Sequence, residues 1–256
     1  MQKIIFIRKK YTAEYKNLEE LGKEIFEYVW VEDVNSFKDI SHLNDRIVWY
    51  RGPVEDTKWR AMMRKLAIQN NILNAPDLCI NAASKVSFYQ DMNGLSFMPK
   101  TWFRPEDAEY PCVEKPDNAH SGEGVRVVKS IDDADTKNGD VWMEKIDFDS
   151  EWRVWCFNNK IIGSYWRKHI KGIEDKDTDE AVDFDYIPKQ LPNETQVQDI
   201  INQVWQRYPL TFHAIDLFYK DGKWWVCEMN GQPGYKEQVW KDTIRMIKIC
   251  YLNALK

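Results

Sequence analysis

The sequence predicts a mixed α/β and α+β chain of three lobes: a small N-terminal α/β lobe, a small central lobe of antiparallel strands, and a C-terminal lobe built on an antiparallel sheet. Three observations carry this expectation. Strand-like and helix-like runs alternate over residues 1–80, which favours a parallel sheet. After residue 99 the apolar runs become short and β-rich, with turns between them, which favours antiparallel pairing. Two turn pairs, Asn158-Asn159 and Asp221-Gly222, then divide longer aromatic and β-branched runs. Both pairs tolerate the positive φ of tight hairpins, and Asp-Gly is the stronger signal.

The elements follow in order. Residues 2–8 read as a strand. Ala13–Trp30 reads as a helix, because Leu18, Leu21, Ile25, Phe26 and Val29 recur at helical spacing. Ile47-Val48-Trp49-Tyr50 is a second strand, Arg51-Gly52-Pro53 a breaker, and Asp56–Asn70 an amphipathic helix with an acidic start. A helix near Ala82–Asn93 precedes short strands at Pro99–Phe103, Pro111–Lys115, Val125–Val128 and Val141–Ile146. The hairpins join Glu151–Phe157 to Lys160–Trp166 and Phe212–Tyr219 to Lys223–Met229, with helices at Glu194–Tyr208 and Tyr235–Ala254. The lobes are expected at 1–80, 81–145 and 146–256. No internal repeat or low-complexity tract interrupts them.

Composition bounds the class of function. With 256 residues, 43% hydrophobic and 14% aromatic, the chain has ample apolar surface for packed cores. A formal charge of -5 argues against broad attraction to nucleic-acid phosphates. The apolar run Ile4–Ile7, before Arg8-Lys9-Lys10, is too short for a signal peptide or membrane span, so the expected location is cytoplasmic. The five cysteines are odd in number, scattered and never in a C-x-x-C pair, which argues against a disulfide framework or zinc knuckle.

The most informative stretch is the second hairpin. Glu228 and Asn230 are two apart, so on a strand both side chains share a face. If the turn registers Asp216 opposite them, three oxygen donors converge, the ligand set of a hard cation that also grips phosphates. On spacing alone, the same residues also fit a solvent-facing hairpin. Upstream, Val113-Glu114-Lys115-Pro116 ends a strand, and Ser121-Gly122-Glu123-Gly124 follows in a loop where backbone amides suit an anion. In isolation that loop equally fits a surface turn, and the G-x-x-x-x-G-K-[ST] loop is absent. His213 sits at odd spacing from Asp216 and should point to the opposite face.

Taken in chain order, Lys85, Lys115-Pro116, the Ser-Gly-x-Gly loop, Met143-Glu144-Lys145-Ile146, Glu151-x-Arg153, Asp216 and Glu228-x-Asn230-x-x-Pro233-Gly234 resemble the ATP-grasp superfamily, over roughly residues 80–235. The segment Glu228-Met229-Asn230-Gly231-Gln232-Pro233-Gly234 looks like the metal-binding end of ribosomal-protein glutamate ligases and glutathione synthetases. The run Glu151-Trp152-Arg153-Val154 is similar to a clade of small ATP-grasp proteins named for one arginine and two lysines.

The resemblance implies an ATP- and magnesium-dependent ligase that joins a small-molecule or peptide carboxylate to an amine through an acylphosphate, releasing ADP, with ATP between the last two sheets. Lys85 and Lys115 would bind nucleotide phosphates, and Ser121, Gly122 and Gly124 would close over them. Glu144, Lys145 and Ile146 would form the hinge against adenine, with Glu151 at the ribose. Asp216, Glu228 and Asn230 would hold magnesium. Arg153 and Arg167 would face the transferring phosphoryl group and the carboxylate, where a planar guanidinium binds two oxygens at once. The acceptor is expected near Arg51. Alternatives are a small-molecule kinase on the same fold and a nucleotide-binding module without turnover. The chain departs from the family after Arg167, where Ile170-Lys171-Gly172 and the acidic run Glu174–Asp185 replace a glycine-rich, Asn-containing segment. That run reads either as a solvated insertion or as a lid attracting a basic acceptor.

Overall fold

The computed structural model describes residues 3–9, 16–31, 43–52, 56–117, 122, 124–135, 139–169, 184–234 and 237–252. The N-terminal sheet holds β1 (Ile4–Lys9), β2 (Phe26–Val31), β3 (Ile47–Arg51) and β4 (Asn71–Leu73), all parallel in the order β2-β1-β3-β4. Two helices accompany it, α1 (Lys16–Gly22) and α2 (Thr57–Ala67). The anticipated long helix through Trp30 is therefore corrected: it stops at Gly22, and Phe26–Val31 is a strand. Leu18, Leu21 and Ile25 mimic helical spacing, but the aromatic and β-branched run Phe-Glu-Tyr-Val-Trp-Val pairs along β1. Asp56 caps α2 as expected, accepting from the Lys58 and Trp59 amides at 2.9 and 3.3 Å.

A parallel sheet needs cover on both faces. Ile5, Ile7, Val48 and Tyr50 pack on Trp59, Met62, Met63 and Leu66 of α2. Phe6, Phe26 and Trp49 pack on Trp240, in a cluster that also contains Trp155 and Phe212 from the C-terminal part of the chain.

The single helix expected near 82–93 is two, α3 (Pro76–Ala83) and α4 (Lys85–Met92). Ser84 breaks them with an extended backbone, and its hydroxyl accepts from the Ser87 amide at 3.1 Å, capping α4. Next come β5 (Thr101–Trp102), β6 (Cys112–Lys115), β7 (Arg126–Val128) and β8 (Val141–Glu144), an antiparallel sheet ordered β5-β8-β6-β7.

The largest sheet is antiparallel, in the order β11-β10-β9-β12-β13. It contains β9 (Ser150–Phe157), β10 (Lys160–His169), β11 (Phe184–Pro188), β12 (Phe212–Lys220) and β13 (Lys223–Asn230), with α5 (Glu194–Arg207) between β11 and β12. After β13 come α6 (Glu237–Ile247) and a wider helical turn over Lys248–Leu252. Strand β11 was not anticipated. It takes in Asp185, the last residue of the acidic run, whereas residues 170–183 lie outside the described residues.

Alternation divides the two faces of this sheet. Trp152, Val154, Cys156, Ile215 and Leu217 join Val197, Ile200, Ile201 and Val204 of α5 in one core. On the other face Trp155, Phe157 and Phe212 pack against α6 and the N-terminal sheet. Further along the same strands that face becomes charged, at Arg153 and Glu151 on β9 and at Asp216 on β12.

Candidate active site

Asp221 and Gly222, at φ 48° and 80°, turn the β12–β13 hairpin. The turn sets Asp216 opposite Glu228 and Ala214 opposite Asn230. A bulge between Asp216 and Leu217 leaves Cys227 as the extra residue of β13. Asn230 donates its amide nitrogen to Glu228 Oε1 at 3.4 Å, so its oxygen is the atom left for a cation. Two carboxylates and one amide oxygen fit magnesium, which completes its shell with water and phosphate oxygens instead of a full protein cage.

The hairpin β9–β10 brings two cations to the same face. Arg153 lies opposite Asp216 across β9–β12, and Arg167 lies opposite Glu151 across β9–β10. Arg153 donates to both Asp216 oxygens, through Nε at 2.6 Å and Nη2 at 2.5 Å. Arg167 donates through Nη1 to Asp216 at 2.7 Å and to Glu151 at 2.6 Å. Burial alone would raise the Asp216 pKa, but the two guanidiniums bring it down to about 2. Glu151, implied at the ribose, is buried beside Arg167.

Tyr186 of β11 completes this cluster. It accepts from Arg153 Nη1 at 3.2 Å, and its ring centre is 5.8 Å from each guanidinium carbon. Sequence reasoning missed it, because the acidic run masked the alternation of Phe-Asp-Tyr-Ile-Pro.

Two lysines arrive from outside this sheet. Lys115 ends β6, with Nζ 3.0 Å from Tyr89 Oη and 3.5 Å from Cys227 Sγ, next to Glu228. Tyr89 in turn donates to the Cys227 carbonyl. Lys85 opens α4 and donates to the Asp117 carbonyl at 3.2 Å. Burial lowers its pKa, and Glu228 is the main influence opposing this. Asp117, a second residue the sequence did not single out, accepts from Ser84 Oγ at 2.9 Å and the Val86 amide at 2.8 Å. It thereby ties the Lys115 loop to the start of α4.

In the loop after Lys115, Gly122 and Gly124 have φ of 76° and 66°. A Cβ on Gly124 would lie 2.8 Å from Pro116 Cγ, so only glycine fits there without displacement. Ser121 lies outside the described residues. Among the residues implied at the adenine, Glu144 exchanges two hydrogen bonds with the Lys100 backbone: its amide donates at 2.8 Å and its carboxylate accepts at 3.2 Å. Lys145 pairs with Asp147, and Ile146 packs against the main core.

Arg51 is held by backbone. It donates to the carbonyls of Gln232 and Pro233 at 3.0 and 2.6 Å. Asn74 donates to the Gly231 carbonyl at 2.8 Å and Trp155 to that of Gly234 at 3.0 Å. Four consecutive carbonyls after Asn230 thus accept from side chains of three other elements or loops. His213 is fully buried on the opposite face from Asp216, as expected, and burial lowers its pKa to about 4.

No protein-family model and no curated protein matches the sequence. Solved structures do resemble the fold. The ligase PsnB, complexed with minimal precursor, Mg and ADP, superposes with TM-score 0.62 at 15% identity, covering 91% of this chain and 90% of PsnB. The D-alanine–D-alanine ligase of Bacillus anthracis, complexed with ATP, gives 0.64 at 15% identity, covering 99% and 98%. An ATP-grasp RimK domain protein of Sphaerobacter thermophilus gives 0.66 at 13% identity, covering 95% and 98%. The chain has the ATP-grasp fold.

Proposed function

We propose that this ATP-grasp chain is an ATP- and magnesium-dependent ligase that activates a carboxylate as an acylphosphate and passes it to an amine. The observation that carries the reading is the approach of Lys115 to Cys227, which brings a phosphate-seeking cation beside the Asp216, Glu228 and Asn230 set. The structural neighbours support it in kind: each is called a ligase or an ATP-grasp protein, one was solved with ATP and another with Mg and ADP.

In this reading Lys85 and Lys115 neutralise nucleotide phosphates beneath the loop carrying Ser121, Gly122 and Gly124. Glu144, Lys145 and Ile146 meet the adenine, and Glu151 the ribose. Asp216, Glu228 and Asn230 hold magnesium, which when bound neutralises charge building on the β and γ phosphates. Arg153 and Arg167 orient the carboxylate and the γ-phosphoryl group. A carboxylate oxygen attacks the γ phosphorus as its bond to the β-bridging oxygen breaks, and ADP departs. The amine then attacks the acyl carbon, phosphate leaves with the bonding pair, and the amine proton is lost to solvent or a nearby base. Positioning and charge neutralisation supply most of the rate.

The carboxylate is a small molecule or peptide and the acceptor an amine. No helix among the described residues is long and apolar enough to cross a membrane, and we place the reaction in the cytoplasm. Incubation with ATP, magnesium and a metabolite or peptide pool, followed by mass spectrometry, tests the proposal. New masses equal to two components less one water support it; ATP turnover without any condensed product overturns it.

A further inference from the structure

We infer that Arg153 is an internal counter-cation for the metal end of the hairpin: it holds Asp216 in the cation-free protein, and loading a divalent cation frees it to receive the substrate carboxylate. The inference rests on the assignment of Asp216, Glu228 and Asn230 to magnesium made above.

Asp216 is fully buried, so its charge requires a partner. Both its oxygens are engaged: Oδ1 accepts from Arg153 Nε, and Oδ2 from Arg153 Nη2 and Arg167 Nη1. An oxygen that ligates a divalent ion cannot keep two guanidiniums at contact, because the cations repel strongly at such separations. One arginine must loosen, and the geometry selects which. Arg167 has a second carboxylate, Glu151, at 2.6 Å, and stays anchored without Asp216. Arg153 has the neutral Tyr186 hydroxyl at 3.2 Å and Glu228 Oε1 at 3.9 Å, itself a proposed ligand of the ion. Arg153 is the one set free.

Tyr186 keeps the freed side chain on the site. Its hydroxyl retains Nη1, and the Tyr186 and Trp155 rings lie 5.8 and 5.9 Å from the Arg153 guanidinium carbon. Charge points the same way. Around Asp216 itself two guanidiniums meet one carboxylate, and only Arg167 has a second carboxylate at contact. A divalent ion on Asp216 therefore repels Arg153 toward the open side of the site, where a substrate carboxylate can take the place of Asp216, and that carboxylate in turn tightens retention of the cation.

The test uses manganese as the probe, with binding followed by electron paramagnetic resonance in full-length protein without nucleotide. Arg153→Met is expected to bind manganese about tenfold or more tightly than wild type, since a unit charge at contact is worth several RT even when well screened. Unchanged or weaker binding in Arg153→Met, while Glu228→Gln abolishes it, overturns the counter-cation role and leaves the metal assignment standing. Failure of every variant and of wild type to bind manganese, even with a non-hydrolysable ATP analogue, overturns the metal assignment and this inference with it. A readout that needs no variant to fold is the nitrogen-15 resonance of the arginine Nε groups in wild type. Saturation with magnesium should make one strongly protected Nε–H exchange faster with solvent, and unaltered protection of all of them overturns the proposal.

Discussion

Asp216 and Glu228 are register partners across one hairpin, yet Asp216 is fully buried between two guanidiniums while the Glu228 side chain is 32% exposed. Two carboxylates a strand apart thus carry different burdens. Asp216 is bound into the packing of the sheet, and Glu228 faces the space near Lys85 and Lys115. Substitutions at the two positions should separate stability from turnover.

Glu228→Gln keeps shape and removes charge. Turnover should fall by at least about three orders of magnitude, roughly 4 kcal/mol of transition-state stabilisation, with the melting temperature nearly unchanged. Steady-state kinetics beside thermal unfolding reads both; near-wild-type turnover in the folded variant contradicts the metal assignment.

Asp216→Asn should instead destabilise the fold by about 3–5 kcal/mol, because Arg153 and Arg167 lose the carboxylate that compensates their buried charge. Adding Arg153→Met to Asp216→Asn should restore part of the loss. Urea unfolding of the single and double variants measures this, and a cost below about 1 kcal/mol for Asp216→Asn would show that the pair is not held as described.

His213 gives the chain an acid-side sensitivity. Its pKa in the fold, about 4, lies below the ordinary 6.5, so the unfolded chain binds the extra proton between these values. The neutral ring's contribution is fully present above pH 6.5 and lost as pH falls to 4, on the order of 3 kcal/mol. His213→Leu should flatten the decline in unfolding free energy across that window. An unaltered pH profile in the variant would contradict it.

Arg51→Met removes the charged Nη2 group that donates to both the Gln232 and Pro233 carbonyls. About 2–3 kcal/mol of stability should be lost, and turnover should fall as the strand end carrying Glu228 and Asn230 loosens. Arg51→Lys, which keeps the charge on a different, non-planar donor, should recover only part of either. Full activity in a folded Arg51→Met protein would show that this anchor does not position the site.

Much of the candidate site was legible because turn chemistry fixes strand register. Asp221-Gly222 sets Asp216 against Glu228, and Asn158, at φ 51°, closes the hairpin that aims Arg153 at the same face. Other features depend on neighbours distant in sequence. Phe26–Val31 carries helical spacing yet becomes a strand because β1 offers a full ladder. Tyr186 lay hidden behind acidic residues, and its role appears only when β11 pairs with β10. The double engagement of Asp216 by Arg153 and Arg167 was not legible either, since it arises from three strands side by side.

The most direct test of the ligase account is the identity of the nucleotide left after turnover. Two buried lysines near the proposed phosphate loop and a separate hairpin of proposed metal ligands would favour breaking the terminal phosphoanhydride. Chromatography of reactions containing a turned-over carboxylate and hydroxylamine should find ADP, phosphate and acyl hydroxamate in equal amounts. Stoichiometric AMP would contradict the mechanism, as would ADP accompanied by a phosphorylated hydroxyl compound and no hydroxamate.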